Sequence, residues 1–479
     1  MSDHNAWPRI QLLELPQINQ VHDYSIEILQ KTGIRVDSQK ARELFKHSGG
    51  ASVKDGMVYI SRELADHAIK SAPETVNVYA QTGEPAFSLG KEQGRETYFG
   101  IGVTNSWFQE IETDKVVPFR REHMQYSSSL GDILDNYDMV STIGIPSDCS
   151  PEKSDLYSTL DMYACTKKPI VLLVQGENKI EEVFSLLNYM HGDISTKPFC
   201  IPYVNLITPL VLNESTTEKM IASIEMNLPV IFSNYSMYGG TSPATGAGTL
   251  ALLNAELLAG LVFSQLVKEG SKIILGSLPA AFNMTNMGSY YTPQSYLLNL
   301  ACAEMMAYYG IPHCGTSGSN NGRGADLPAA GHLWLNHLTS CIGKVGCVPF
   351  VGGNFDSMAF SPALAVLSDL VIAETRTFAR GFDLNDETVN LEEINKLGPA
   401  GNFFTSEQTL SLLTGKPVRS ELWPSLNLKQ WEDQKMPRAD DELIAYTCEL
   451  YKKARLKTED SRDIIAKGDE FIANMRPLP

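Results

Sequence analysis

From about residue 98 onward, the chain alternates between two patterns of apolar and polar positions. Short runs that are almost wholly apolar or small are typical of strands buried on both faces of a parallel sheet, and stretches with helical spacing lie between them. The runs predict strands at 98–108, 139–145, 170–174, 201–207, 230–235, 272–278, 313–317 and 345–352. The stretches predict helices at 155–166, 180–191, 215–226, 249–268, 294–309, 327–342 and 362–378.

Eight strands that alternate with helices predict an α/β fold of the TIM (β/α)8 barrel type. An open, doubly wound sheet is the alternative that the same pattern allows. The chain has no G-x-G-x-x-G fingerprint after a first strand and no Walker A sequence, so the nucleotide-binding versions of the open sheet are not indicated.

The segments on either side of the barrel have patterns of their own. Residues 1–95 predict a separate α-rich cap with a short strand and three helices, at 17–32, 38–47 and 62–71. The barrel is expected at 96–382. Residues 383–479 are charged and loop-like and end in two predicted helices, at 440–453 and 460–475. We expect this C-terminal extension to pack on the barrel or on a partner subunit.

The charge of the chain excludes two classes of partner. The 479 residues contain 39 Lys and Arg against 56 Asp and Glu, which gives a formal net charge of −17. Binding to nucleic acid or to an anionic membrane surface needs a basic footprint, so neither is expected. The charge is also uneven, because Arg323 is the only arginine between Arg121 and Arg376. This lone cation is a candidate for binding an anionic group.

The ends, the apolar stretches and the cysteines indicate a cytoplasmic protein. The N-terminus has no basic stretch followed by an apolar run. The longest apolar candidate, 250–267, contains Asn254 and Glu256, and we therefore predict a buried helix and not a membrane span. The eight cysteines are scattered without a CxxC pair, which predicts free thiols and no structural zinc.

In a TIM barrel the active site lies at the carboxyl ends of the strands. The residues that follow the predicted strands are rich in aromatic rings and amides and include few acids. They are Tyr98, Phe99, Asn105, Trp107, Gln175, Tyr203, Asn205, Ser233, Asn234, Tyr235, Tyr238, Ser277, Asn283, Thr316, Ser317, Asn320, Asn321, Arg323, Asn354, Phe355 and Asp356. This lining disfavours glycosidase chemistry, which needs paired carboxylates, and lacks a metal-ligand cluster. It suits a poorly hydrated cation held by aromatic faces, with a carboxylate held by a cation and amides.

Four stretches of the chain carry a family likeness. They read YGGTSPATGAGTLALLNAELLAGLVFSQLV (238–267), YFGIGVTNSWFQEIETDKVVPFRREHM (98–124), CTKKPIVLLVQG (165–176) and CGTSGSNNGRGADLPAAG (314–331). Together they resemble the trimethylamine methyltransferase (MttB-like) family, over essentially the whole chain. The resemblance implies a TIM barrel that transfers a methyl group from an amine to the Co(I) corrinoid of a small partner protein. It also implies a homo-oligomer and no metal of the chain's own.

Members of one subset of that family contain a pyrrolysine in the segment between the seventh strand and the next helix. By the resemblance, Asp326 matches a family aspartate, Arg323 a usually basic position and Leu327 the pyrrolysine position. With an ordinary residue at Leu327, the chain resembles the non-pyrrolysine branch, whose members demethylate quaternary amines. Asp326, Leu327 and His332, which lies in the following helix, are the catalytic candidates.

The substrate is expected to be a betaine bound by aromatic and polar side chains. We expect Arg323, His332 and nearby amides to engage its carboxylate, although Arg323 could instead pair with Asp326. The predicted substrate-binding residues are Tyr98, Phe99, Tyr203, Asn205, Tyr235, Asn321, Arg323 and Phe355.

Glycine betaine, which would give dimethylglycine, is the first expectation. Proline betaine, carnitine and γ-butyrobetaine are alternative substrates. A non-catalytic barrel that binds or senses betaines is the alternative from another functional class, and an unrelated barrel lyase is disfavoured by the lack of an acid/base pair or a Schiff-base lysine.

Overall fold

The computed structural model of the chain describes residues 5–91, 94, 96–176, 179–413 and 422–475. Eight parallel strands form its central sheet. They are β1 (Tyr98–Ile101), β2 (Met139–Ser141), β3 (Ile170–Leu172), β4 (Cys200–Leu206), β5 (Val230–Tyr238), β6 (Ile273–Asn283), β7 (His313–Cys314) and β8 (Cys347–Val351). Each strand pairs with the next along the chain and β8 pairs back onto β1, so the sheet closes into the predicted barrel.

A helix follows each barrel strand and covers the outside of the sheet. The helices are α1 (Arg121–Ile133), α2 (Ser154–Cys165), α3 (Ile180–His191), α4 (Glu214–Glu225), α5 (Gly246–Val267), α6 (Pro293–Tyr309), α7 (Leu327–Ile342) and α8 (Pro362–Arg380). The sequence pattern predicted seven of them and missed α1. This helix contains three consecutive serines, Ser127 to Ser129, and Gly131, all of them buried. Such residues have low helix propensity, and tertiary packing stabilises the helix.

Helix α5 is the apolar helix for which the sequence predicted burial. Thr245 caps its first turn by accepting a hydrogen bond from the Gly248 N–H group, and all residues from Thr249 to Gln265 are buried. In the described part of the chain it is the one helix long and apolar enough to cross a membrane, but 89% of its apolar window is buried inside the protein. A helix that is apolar on every side is typical of a protein core, and α5 packs between the barrel and the N-terminal segment.

A buried carboxylate on α5 holds the loop that follows β4. Glu256 is fully buried and accepts hydrogen bonds from the Thr208 hydroxyl (2.9 Å), the Leu210 N–H group (2.8 Å) and the Asn234 amide (2.9 Å). The Asn234 carbonyl in turn accepts from Ser277 (2.8 Å). Burial raises the pKa of Glu256 to about 7. Asn234 and Ser277, which sequence analysis placed at the barrel mouth, are thus bound into a network with α5.

The N-terminal segment contains both helices and strands. Its helices are Leu15–Glu27 with a wider turn at Ile28–Thr32, Gln39–His47 and Arg62–Ser71, and its strands are Asn5–Ala6, Ile34–Val36, Ala51–Lys54, Met57–Ile60, Thr75–Tyr79 and Pro85–Gly90. The last two strands form an antiparallel hairpin. Its side chains Val76, Val78, Phe87 and Leu89 pack into one apolar cluster with the interior of the barrel. This hairpin therefore fills the barrel at the amino ends of its strands.

The C-terminal extension has a packed part and an exposed part. The helices Ala439–Glu459 and Arg462–Asn474 pack against the barrel through Leu443, Leu450, Ala454 and Ile472. Residues 382–413, which we call the arm, contain the short helices Asp386–Val389, Leu391–Leu397 and Glu407–Leu413, and none of these residues is buried. The arm nevertheless carries large apolar side chains that are exposed to solvent, including Phe382, Leu391, Phe404 and Leu410.

Candidate active site at the carboxyl end of the barrel

A cavity of about 320 Å³ opens at the carboxyl ends of the barrel strands. Five of the barrel strands, or the loops that follow them, contribute to its lining: β1, β5, β6, β7 and β8. The lining residues are Val103, Tyr235, Leu278, Tyr291, Thr316, Gly318, Ser319, Phe350, Asp356 and Ser357. Its place in the fold is the one at which TIM-barrel enzymes bind their substrates.

Three aromatic rings from different strands and loops line the cavity: Tyr235, Tyr291 and Phe350. The main chain of Tyr291 is held on both sides by Asn321, which donates to its carbonyl oxygen (2.8 Å) and accepts from its N–H group (2.9 Å). Below Phe350, the ring of Tyr203 packs edge to face with a centroid distance of 4.8 Å. Burial raises the pKa of Tyr235 and of Tyr291, so both hydroxyls stay protonated at neutral pH. The cavity thus has uncharged aromatic walls.

A strained turn after β8 brings a carboxylate to this cavity. Phe355, Asp356 and Ser357 have φ angles of 51°, 57° and 60°, three consecutive non-glycine residues in the left-handed region. Each such residue costs on the order of 1–3 kcal/mol, so the surroundings must stabilise the turn. Asn105 donates to the Ser357 carbonyl oxygen (2.6 Å), and the N–H group of Ser289 donates to Asp356 Oδ2 (3.1 Å). The Ser289 hydroxyl donates a further, short hydrogen bond to Asp356 Oδ1.

A network of buried amides joins the loops around the cavity. Gln109 accepts from the Asn354 side chain (2.7 Å) and donates to the Arg323 carbonyl oxygen (2.8 Å). Asn320 donates to the Gly353 carbonyl oxygen (3.0 Å) and accepts from the Gly322 N–H group (2.8 Å). These bonds connect the loops after β1, β7 and β8. Several amides that sequence analysis expected at the mouth therefore position its loops.

The aromatic residues expected around a substrate separate into four groups. Tyr235 lines the cavity, whereas Tyr203 lies beneath it with its hydroxyl group buried and unpartnered. Phe355 is exposed on the rim. The structure does not bring Tyr98 and Phe99 to the mouth. Tyr98 opens β1 at the far end of the barrel and stacks on Phe87 (4.5 Å), and Phe99 points outward against His337 (5.3 Å).

The expected polar contacts are also spread over the mouth. Asn321 braces Tyr291, and Asn205 is exposed on β4. Arg323 is exposed and does not line the cavity, and its main chain makes hydrogen bonds with Gln109 and Asp326. One of them runs from its N–H group to Asp326 Oδ2 (3.0 Å), so Asp326 contacts its backbone and not its guanidinium.

The three expected catalytic positions lie at the start of α7. Asp326 is the N-cap of this helix and accepts from the Ala329 N–H group (2.9 Å). The side chain of Leu327 is 89% exposed. His332 is partly buried, packs edge to face on Tyr296 (6.2 Å), and burial lowers its pKa. None of the three is among the residues that line the cavity.

Sequence analysis missed most of the lining. Tyr291 and Ser289 were overlooked because β6 continues to Asn283 and returns as an antiparallel strand, Gly288–Tyr290, which the pattern did not predict. The sequence SYYT, directly before α6, is the signal that could have indicated an aromatic loop at the mouth. Asp356 was among the residues expected at the mouth and was given no role. Within the described ranges, no group of three His, Cys, Asp or Glu side chains could hold a metal ion.

Comparison with known proteins places this barrel in a family. The sequence model of the family described as trimethylamine methyltransferase (MTTB) matches residues 2–454. The chain belongs to the trimethylamine methyltransferase family. It is therefore an enzyme of the methyltransferase class, and the resemblance seen in its motifs is confirmed.

Relatives within the trimethylamine methyltransferase family match most of the chain. A glycine betaine methyltransferase of Desulfitobacterium hafniense (strain Y51) is 25% identical over 407 residues, which cover 84% of each chain. A proline betaine:corrinoid methyltransferase of Eubacterium limosum is 26% identical over 424 residues, again 84% of each. The trimethylamine methyltransferase MttB of D. hafniense (strain DSM 10664 / DCB-2) is 25% identical over 443 residues, or 90% of this chain and 88% of its own.

Among solved structures, the monomethylamine methyltransferase of Methanosarcina barkeri is similar to this chain. The two superpose with a TM-score of 0.52 at 11% identity, over 93% of this chain and 92% of that one. At this identity the likeness shows the fold, and it agrees with the closed barrel described above.

Proposed function

We propose that this enzyme transfers a methyl group from a small quaternary amine to the corrinoid of a small partner protein. The observation that carries the proposal is the cavity at the barrel mouth, with Tyr235, Tyr291 and Phe350 in its walls. Family membership supplies the reaction class, and the corrinoid dependence named for the Eubacterium limosum relative supports the acceptor.

The walls of the cavity suit a quaternary ammonium group. The faces of aromatic rings attract a poorly hydrated cation, by about 0.5–1 kcal/mol at exposed sites and about 2 kcal/mol or more when water is excluded. A volume of about 320 Å³ lies at the lower end of the range for ligand pockets and therefore favours a small amine. Glycine betaine is the candidate substrate from sequence, with proline betaine, carnitine and γ-butyrobetaine as larger alternatives.

In this reaction the main tasks of the chain are to bind the amine and to orient it. The corrinoid supplies a Co(I) nucleophile that accepts the methyl group. The bond between carbon and nitrogen breaks with its electron pair left on nitrogen, so a quaternary amine departs as a neutral tertiary amine and needs no proton. The residues of the cavity would hold the nitrogen with one methyl group toward the opening and exclude water, which are the two contributions that such a transfer requires.

The rim of the cavity supports docking of a partner. Exposed apolar side chains lie in three segments that follow barrel strands, at the same end of the barrel as the cavity: Met284 (84% exposed) and Met287 after β6, Leu327 after β7, and Phe355 and Met358 after β8. Exposed apolar patches rimmed by polar residues mark interaction sites, and methionine is common where a surface adapts to its partner. We propose that the corrinoid protein covers this rim, which would bring its cofactor over the cavity.

We also propose that the chain forms a homo-oligomer, and the arm supports this. The arm has no buried residue of its own but presents several large apolar side chains, and a second copy of the chain is the partner we propose for them. We also propose a cytoplasmic location, because all eight cysteines are free thiols, as is usual in a reducing compartment.

The test of the reaction is a panel of methylated amines assayed with Co(I) cobalamin as acceptor. We expect a loss of the Co(I) absorbance that saturates with amine concentration and is matched by release of the demethylated amine. A reaction without amine is the control. Saturable amine binding with no loss of Co(I) absorbance, for every amine in the panel, would contradict the proposal and favour a sensing barrel.

A further inference from the structure

The cavity offers one fixed charge to its ligand, and that charge is negative. Among the described residues that line it, Asp356 is the only carboxylic acid and none is a lysine, arginine or histidine; the others are aromatic, aliphatic, hydroxyl-bearing or glycine. Arg323, the cation expected to bind a substrate carboxylate, is exposed and outside the lining. The electrostatics of this site therefore favour a cation and disfavour an anion.

The carboxylate of Asp356 is held in place. Its two oxygens accept hydrogen bonds from the N–H group and the hydroxyl of Ser289, and its backbone lies in a turn anchored by Asn105. Each oxygen keeps a free lone pair, so the group can still face a ligand in the cavity. A strained turn that carries a fixed carboxylate into a binding site is the kind of outlier from which a functional role is inferred.

A betaine would meet unfavourable surroundings in this cavity. Its carboxylate is covalently attached near its ammonium group, so the two must share the small cavity with Asp356. The hydroxyl groups in the lining are uncharged donors: those of Tyr235, Tyr291 and Ser357, and those of Thr316 and Ser319, which bond each other (2.6 Å) and thus use one of their two hydrogens. A carboxylate buried there without a cation would be poorly stabilised.

We propose, on the basis of the function proposed above, that Asp356 binds the ammonium group of the substrate and selects amines without a carboxylate. The substrate class is then a small quaternary ammonium monocation, for which tetramethylammonium is the smallest probe. The attraction has a consequence for rate. Asp356 stabilises the charged amine but not the neutral amine that leaves, so it strengthens binding and does not accelerate transfer from the bound state.

The substitution that tests this role is Asp356→Asn. Asparagine is among the residues that tolerate the left-handed region, where Asp356 has a φ of 57°, and its side chain can keep two hydrogen bonds to Ser289. The matched control is Glu112→Gln, which removes one exposed carboxylate from the loop after β1, outside the cavity lining. Melting temperatures of both variants show that each is folded.

Binding to the purified full chain is measured first, with tetramethylammonium and with glycine betaine as probes. We expect tetramethylammonium to bind at least tenfold more tightly than glycine betaine. Asp356→Asn should weaken tetramethylammonium binding at least tenfold and leave glycine betaine within about threefold, while Glu112→Gln changes neither. Equal or tighter binding of glycine betaine by the unaltered chain, or unchanged binding of tetramethylammonium by Asp356→Asn, would overturn the proposal.

Transfer to Co(I) cobalamin separates this proposal from the function on which it rests. In Asp356→Asn we expect KM for tetramethylammonium to rise at least tenfold while kcat does not fall. An equal loss in kcat with unchanged KM would overturn the binding role. Failure of every amine to react would overturn the proposed function, whereas efficient transfer from glycine betaine in preference to tetramethylammonium would overturn only the assignment of Asp356.

Discussion

At the scale of single residues, Phe350 offers a test of the aromatic wall. It is 8% exposed and lines the cavity, where it rests on Tyr203. Phe350→Leu keeps an apolar side chain but removes the ring that attracts a cation. We expect the affinity for a quaternary ammonium ligand to fall about 2- to 30-fold, from a cation–π energy of roughly 0.5–2 kcal/mol.

The control for this variant is a ligand of the same shape without charge. An alcohol with a tert-butyl group in place of the trimethylammonium group should bind the unaltered chain and Phe350→Leu with similar affinity, as measured by calorimetry. If both ligands lose the same affinity, Phe350 contributes packing and not attraction to the cation.

Arg323 is the residue for which sequence and structure suggest different roles. Its side chain is exposed, and its hydrogen bonds to Gln109 and Asp326 are made by main-chain atoms that an alanine keeps. We therefore expect Arg323→Ala to leave the KM for glycine betaine within about twofold. A tenfold or larger rise in that KM would restore Arg323 to the role of carboxylate ligand.

The sequence predicted the types of residue at the barrel mouth better than it predicted which individual residues lie there. The sequence indicated an aromatic and amide-rich mouth, and Tyr235 lies in the cavity wall as expected. Tyr98 and Phe99 were misplaced for a physical reason. Side chains alternate across a strand, so Phe99 faces the outer helices. Tyr98 is the first residue of β1 and therefore lies at its amino end, opposite the mouth.

At the scale of elements, the start of α7 depends on its cap. Asp326 accepts hydrogen bonds from Ala329 and Arg323 N–H groups, and asparagine is an equally good cap while alanine is not. We expect Asp326→Ala to destabilise the protein by about 0.5–2 kcal/mol and Asp326→Asn to be close to neutral, as measured by thermal unfolding. A large loss of methyl transfer in Asp326→Asn without loss of stability would instead indicate the catalytic role expected from the family resemblance.

Helix α5 carries a buried acid, Glu256, and its ionisation should make the stability of the folded chain depend on pH. Glu256 has a pKa of about 7 in the folded chain because it is buried, against an ordinary value near 4.5. Between these values the folded chain binds more protons than the unfolded chain, so its stability falls as pH rises from about 4.5 to 7 and levels off above that. The full effect is on the order of 3 kcal/mol.

The measurement is the melting temperature at pH 5 and at pH 8. Because a glutamine does not titrate, Glu256→Gln should lose less stability than the unaltered chain between these two values. The exposed Glu225→Gln on α4 is the control and should follow the unaltered chain. Identical pH dependence in Glu256→Gln and the unaltered chain would show that the buried acid does not contribute.

The elements themselves were the most predictable level of the structure. Long apolar runs indicated the barrel strands and seven of its helices, because burial on both faces leaves a strong pattern. The return strand after β6 and the turn after β8 left no such pattern, since they are short and their conformations depend on contacts such as those of Ser289 and Asn105. These are the elements that form the cavity, and so the site was harder to predict than the fold.

At the scale of the whole molecule, the arm leads to a prediction about assembly. We expect the chain to form a homo-oligomer in which the arm is covered. Replacing Leu391 and Phe404 together by serine should shift the molecular mass measured by light scattering toward that of the monomer. The rim variant Met284→Ser, in contrast, should keep the mass of the assembly. An unaltered mass in the arm variant would show that another surface joins the copies.

The hairpin that fills the amino end of the barrel, through Val76, Val78, Phe87 and Leu89, has a kinetic consequence. With that end blocked, the cavity opens toward the rim on which we propose that the partner docks. The amine and the partner protein would therefore use the same opening. The amine must enter before the partner closes over it, and the demethylated product must wait for the partner to withdraw. Turnover would then follow a compulsory order, and a large excess of the corrinoid protein would slow the enzyme by excluding its own substrate.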